Sequence, residues 1–258
     1  MRRRVHYYLQ RNLRWSSLHF TLLDPEKQSP ERAAELAHAA QEGGSHAVMI
    51  GGSTGFTRAQ LDATVKAVKS KVSIPVILFP GNGETGLSPD ADAVFFMSML
   101  NSRNPRYLIE EQAKAADQIR EMGLEAIPMG YLVVEPGGKV GQVGEARLLS
   151  RENPEEAVRY ALAAQYFGMD YVYLEAGSGA GAPVPIPMIE AVHRKIDIPL
   201  IVGGGIRSAE AAHDMIKAGA DILVTGNLIE GQIDVQKTIG EIVGRAIQDL
   251  KKKIREAV

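Results

Sequence analysis

Short apolar runs punctuate this chain at intervals, and each ends in glycine or in a small or polar residue. Eight are found: Ser17–Leu23, His46–Ile50, Pro75–Phe79, Asp92–Met97, Glu125–Gly130, Asp170–Glu175, Pro199–Val202 and Asp221–Thr225. They are rich in Val, Ile, Leu and Phe and do not alternate polar with apolar, which is how a strand buried on both faces of a parallel sheet reads. Between the runs, apolar residues recur at helical spacing. Pro30–Glu42 carries Ala33, Leu36, Ala37 and Ala40, with Ser29 placed to cap it and proline in its first turn. Thr57–Ser70, Pro105–Met122, Pro154–Phe167, Ile186–Lys195, Ser208–Ala218 and Ile233–Arg255 complete the helical set. Strand and helix alternate throughout, which is the pattern of βα units. Eight such units in one domain of this length predict an α/β fold, a (β/α)8 TIM barrel rather than an open sheet.

The pattern breaks in two places. After the third run, Gly81–Asp90 is ten residues long and holds three glycines and a proline. It has no room for a full helix, so the third helix is expected to be missing. Val134–Ser150 is a glycine-rich insertion after the fifth run. An N-terminal extension at about residues 1–16 precedes the barrel, and residues 1–13 are placed to form a helix over its floor. Nothing marks a domain boundary, so residues 1–258 are expected to form one domain.

Composition narrows the function. Lys plus Arg is 29 and Asp plus Glu is 31, a net charge of −2, so the electrostatic case for a nucleic-acid partner is absent. With no cysteine, a disulfide scaffold, a thiolate metal site and a cysteine nucleophile are all excluded. No run of 18 uncharged apolar residues predicts a membrane span, and the basic start Arg2–Arg4 has no apolar stretch behind it. A cytoplasmic protein is expected. The six histidines show no zinc-ligand spacing, and His38 and His213 are expected on helix surfaces.

In such a barrel the chemistry sits where the strands end. The seventh strand ends in Gly203-Gly204-Gly205-Ile206-Arg207-Ser208 and the eighth in Thr225-Gly226-Asn227. Bare backbone N–H groups and a helix N-terminus there form an anion cradle, at the usual phosphate position of these barrels. Tight turns that simply need glycine are the alternative. The sixth strand ends in Tyr173-Leu174-Glu175-Ala176-Gly177-Ser178-Gly179. Glu175 at a strand end can act as general base, hydrogen-bond a polyol, or only hold a salt bridge. Asp24 ends the first strand and Ser53 follows the second. A carboxylate and a hydroxyl from adjacent strands can hold Mg²⁺, although Asp24-Pro25 alone also suits a turn or cap.

Five stretches together carry a family resemblance. They are His19-Phe-Thr-Leu-Leu-Asp-Pro-Glu-Lys27, Gly51-Gly-Ser53, Tyr173 to Gly179, Val202-Gly-Gly-Gly-Ile206 and Thr225-Gly-Asn227. The chain resembles the geranylgeranylglyceryl phosphate synthase family, which includes the bacterial heptaprenylglyceryl phosphate synthases. A missing third helix is also a habit of that family. The resemblance implies a prenyltransferase that joins sn-glycerol 1-phosphate to a polyprenyl diphosphate in archaeal-type ether lipid synthesis. Its product would be a membrane-bound lipid precursor. It implies that Tyr173, Leu174, Glu175, Ala176, Gly177, Ser178, Gly179, Gly204, Gly205, Gly226 and Asn227 bind the glycerol phosphate. It implies that Asp24 and Ser53 hold Mg²⁺ and that Glu175 takes the proton from the C3 hydroxyl. The bacterial branch has Lys two residues before the Asp. Here that position is Leu22, which points to the archaeal-type branch and a geranylgeranyl donor, with a longer-chain (heptaprenyl) donor as the alternative. Family members are commonly dimers or hexamers, and Trp15 and Tyr107 are expected as exposed aromatic anchors.

Two further expectations complete this reading. Loss of the third helix opens an apolar groove along the barrel side, with Phe95, Phe96, Met97, Met99 and Leu100 beside it. The competing functions are a metal-independent sugar-phosphate isomerase or aldolase on the same barrel, and a phosphate binder without catalysis. A catalytic lysine at a strand end, which the first competitor would need, is not found.

Overall fold

A computed structural model describes residues 3–52, 55–83, 85–226 and 234–244. Among them, eight parallel strands close into one barrel in chain order. These are β1 (Leu18–Leu23), β2 (Ala47–Ile50), β3 (Val76–Leu78), β4 (Ala93–Met99), β5 (Glu125–Val133), β6 (Tyr171–Glu175), β7 (Leu200–Gly203) and β8 (Ile222–Thr225). Alternate side chains point inward, as a strand requires. Phe20, Met49, Ile77, Phe95, Met129, Tyr173, Ile201 and Val224 meet in a single interior cluster. The intervening residues pack outward against the helices in two further clusters.

The helices are α1 (Arg4–Leu13), α2 (Pro30–Glu42), α3 (Arg58–Lys69), α4 (Glu111–Met122), α5 (Gly138–Val143), α6 (Pro154–Tyr166), α7 (Ile186–His193) and α8 (Ala209–Lys217). Local chemistry starts several of them. Ser29 and Ser208 accept from backbone N–H groups of α2 and α8. Thr57 and Gln60 make a reciprocal capping box for α3. As expected, β3 runs to β4 with no helix between them among the described residues. α1 covers the barrel floor, burying Val5 and Leu9 against the interior cluster. The final predicted helix is described over 235–244 only, where Val235, Ile239 and Ile242 are buried.

Three local features depart from the sequence reading. β5 continues past Gly130 to Val133. That glycine is not a strand end; it admits α6, whose Ala164 Cβ would lie 2.7 Å from a side chain there. The glycine-rich insertion contains α5. The predicted helix over 105–122 begins as a π-helical turn, Arg106–Glu110. Its carbonyls are claimed by side chains: Ser98 Oγ donates to Leu108 O at 2.6 Å and Gln112 Nε2 to Tyr107 O at 3.2 Å.

Candidate active site

Glu175 ends β6 and is buried at the barrel mouth. β5 and β6 place Tyr131 beside Tyr173, with ring centroids 5.1 Å apart and nearly perpendicular. Both hydroxyls hydrogen-bond to the Glu175 carboxylate, and Gly177 N donates to its Oε1 at 2.6 Å. Burial raises the Glu175 carboxyl above the usual range, while the Gly177, Tyr173 and Tyr131 donors hold it partly down. Burial, and then the Glu175 charge, push both tyrosine hydroxyls well up, so they remain protonated donors. Phe79 packs on both tyrosine rings. Strand β7 must be bare here. A Cβ on Gly203 would strike the Tyr173 hydroxyl, and one on Gly204 would strike Glu175 Oε1.

The glycine loops surround this carboxylate. Gly177, Gly179, Gly204 and Gly205 all have positive φ, between 70° and 102°, which only glycine adopts without strain. Ser178, Gly179, Gly204, Gly205 and Gly226 line one cavity with Glu175. The side chains of Leu174 and Ala176 do not: both pack outward in the cluster beneath α6 and α7. Asn227 lies outside the described residues. Arg207, given no role from sequence, also lines the cavity, and its guanidinium donates to Gly179 O at 3.3 Å and Ala180 O at 3.0 Å. It straps the β6 loop to the β7 loop. The signal available was a cation two residues after three glycines, just before a helix.

Asp24 faces the same cavity from the end of β1. Its Oδ1 accepts from Glu26 N at 3.1 Å, and a Cβ on Gly52 would lie 2.8 Å from each carboxylate oxygen. Burial raises its carboxyl above the usual range; the Glu26 N–H and the charges of Lys27 and Lys139 oppose this. Ser53 lies outside the described residues. Among the described residues no cluster of three His, Cys, Asp or Glu side chains stands ready to enclose a metal. A half-buried carboxylate at an open rim does fit Mg²⁺, which keeps several waters and takes oxygens from substrate phosphates.

The cavity is about 520 Å³ and runs from this rim down the side of the barrel where the third helix is absent. Leu87, Val94, Phe96, Ala115 and Ile119 line that arm, with Phe95, Met97 and Met99 on its β4 side. Leu100 does not line it; its side chain packs on the outer cluster near β5. Tyr107 is not an exposed anchor: the π-helical turn leaves it half-buried on the groove. Buried Glu111 accepts from Gly83 N at 2.8 Å and Arg106 Nε at 2.7 Å, which pins the β3–β4 connection to α4. Burial would lift its carboxyl, but these donors and Lys114 bring it below the usual range. Tyr131 and Glu111 went unassigned from sequence, because each depends on a neighbour distant in the chain.

A closed (β/α)8 barrel with a glycine cradle, a desolvated carboxylate and an apolar side groove on one rim is the class these features define. The chain belongs to the PcrB family, whose model matches residues 10–245. It is 53% identical to the geranylgeranylglyceryl phosphate synthase of Thermococcus kodakarensis, over 91% of this chain and 92% of that protein. It is 52% identical to that of Methanothrix thermoacetophila, over 87% and 88%. Its structure is similar to that of (S)-3-O-geranylgeranylglyceryl phosphate synthase from Thermoplasma acidophilum in complex with sn-glycerol-1-phosphate. The TM-score is 0.92 and the identity 42%, over 96% of this chain and 100% of that one.

Proposed function

We propose that this protein transfers a geranylgeranyl group from its diphosphate to the C3 hydroxyl of sn-glycerol 1-phosphate. An ether bond forms at the allylic carbon, the carbon–oxygen bond to diphosphate breaks, and the hydroxyl proton passes to Glu175. The observation that carries this reading is the position of Glu175, between a cradle suited to a small phosphate ester and a groove suited to a long apolar tail. The names of the relatives and the ligand in the Thermoplasma structure support the same substrates.

The chain's own groups divide the work. The amides of Gly179, Gly204, Gly205 and Gly226, with Asn227, hold the glycerol phosphate by its phosphate, while Gly177 spends its N–H on Glu175. That orients the hydroxyl toward Glu175, and orientation is a large part of the rate. Tyr131 and Tyr173 keep the carboxylate aimed and dry until it takes the proton. Asp24 and Ser53 are the residues that would hold Mg²⁺, which when bound neutralises charge on the diphosphate. The side groove takes the C20 tail; the volume of the whole cavity, cradle and groove together, is ordinary for a small-ligand site. Leu22 lies on the cavity wall, consistent with the geranylgeranyl-using branch.

The test is direct. Labelled glycerol 1-phosphate, geranylgeranyl diphosphate and Mg²⁺ are expected to give organic-soluble label with the native chain and none with Asp24→Ala. No soluble label from the native chain overturns the reading, and an unchanged rate in Asp24→Ala removes the metal role. A cytoplasmic location and self-association into a dimer or hexamer belong to the same proposal. No described helix is long and apolar enough to cross a membrane, and Trp15 is 71% exposed. Light scattering is expected to give the mass of an assembly, and Trp15→Ala to shift it downward; a monomer mass for the native chain refutes this part.

A further inference from the structure

The barrel closes where its last strand meets its first, and this seam carries more than a backbone ladder. β1 and β8 pair from Leu18↔Ile222 to Thr21↔Thr225. Leu18, Phe20, Ile222 and Val224 face the apolar interior. The alternate positions, on the outer side of the seam, hold polar groups that are almost completely buried: His19, Thr21 and Thr225, with Ser45 from the turn before β2. His19 Nδ1 lies 2.8 Å from Ser45 Oγ and Nε2 lies 2.9 Å from Thr225 Oγ1. Ser45 Oγ lies in turn 2.8 Å from Thr21 Oγ1. A neutral imidazole has one donor and one acceptor nitrogen, and both are used. The proposed transfer chemistry needs none of these four groups.

Burying four polar side chains where apolar ones would fit gains little stability; a fully satisfied network instead fixes geometry. The parts it fixes are the two halves of the site. β1 runs on through Leu22 to Asp24. β8 runs on through Thr225, itself at the cavity wall, to Gly226. The two ends touch, since a Cβ on Gly226 would lie 3.4 Å from Leu22 O.

We propose that His19 is a positioning residue: by holding Thr225 from β1, it sets Gly226 at its working distance from Asp24. It touches neither substrate. The inference rests on the function proposed above, because it takes the Gly226 loop as a phosphate-binding element.

The experiment uses the full chain and four variants: Thr225→Val, Thr225→Ser, His19→Leu, and the double variant Thr225→Val with His19→Leu. Glycerol 1-phosphate binding is measured by calorimetry, the KM of each substrate by steady-state assay, and Tm by thermal unfolding. Thr225→Val keeps the shape and removes the hydroxyl. It is expected to weaken glycerol 1-phosphate binding and raise its KM by about three- to tenfold, the worth of one hydrogen bond. The KM for the prenyl diphosphate is expected to hold. Thr225→Ser restores binding, and the double variant is no worse than the weaker single, because both break one bond. A lowered Tm with both KM values unchanged, or additive losses in the double variant, overturns the inference. If His19→Leu does not fold, the Thr225 pair decides alone. A native chain that binds glycerol 1-phosphate but makes no prenyl ether fails the function proposal while leaving this test intact. A native chain that does not bind it at all overturns the inference.

Discussion

At the end of β6, two tyrosine hydroxyls and the Gly177 N–H converge on the buried carboxylate of Glu175. Its place at a strand end was legible, because an apolar run stops there before a string of glycines. Its environment was not, because Tyr131 lies more than forty residues earlier and past the apparent end of β5. Yet that neighbour sets the proton chemistry. Burial raises the Glu175 carboxyl, and donation from Tyr131 lowers it. As a base it works only when ionised, so kcat/KM is expected to fall with acid, along a limb centred above the ordinary glutamate value of about 4.3. Removing the Tyr131 hydroxyl removes a donor to the anion. The acid limb of Tyr131→Phe is therefore expected to move to higher pH, and Glu175→Gln to lose kcat far more than binding. A pH–rate profile that does not move in Tyr131→Phe, or moves down, contradicts the assignment.

At the scale of the elements, what could be read was what is locally caused. The starts of α2, α3 and α8 follow from Ser29, Thr57 and Ser208, each capping its own first turn. The departures have distant causes. The π-helical turn over Arg106–Glu110 follows from Ser98, on a strand, taking a carbonyl of the turn. The floor helix α1 has no cap of its own at Arg3. Its first N–H groups instead donate to Glu125, at the start of β5: Val5 N to Oε2 and His6 N to Oε1, each at 2.7 Å. A carboxylate suits the positive end of a helix, and here it fixes the floor to the barrel. Glu125→Ala leaves buried donors unpaired and is expected to cost about 1–3 kcal/mol. Denaturant unfolding measures this; a variant as stable as the native chain would show that Glu125 is not what holds α1 to the barrel.

For the molecule as a whole, the count of strands, their order and the missing third helix were all legible, because buried parallel strands announce themselves as unbroken apolar runs. What the runs conceal is how the barrel closes. His19 sits inside the first run as if it were one more core residue, and only the β1–β8 pairing reveals its partners. Burial, with the nearby His46 as a smaller contribution, lowers its pKa to about 3. In the unfolded chain the imidazole titrates near 6.5. Between these values the unfolded chain holds a proton that the native seam refuses, so stability must fall as pH drops through this window. Above about 6.5 the two states bind equally and the contribution is flat. Removing the titrating group removes its share of the slope. Between pH 6.5 and 4 the Tm of the native chain is expected to decline more steeply than that of His19→Gln, from whatever starting value the variant has. Parallel declines would mean that the acid sensitivity of this barrel lies in its other titrating groups and that the closing histidine takes no part in it.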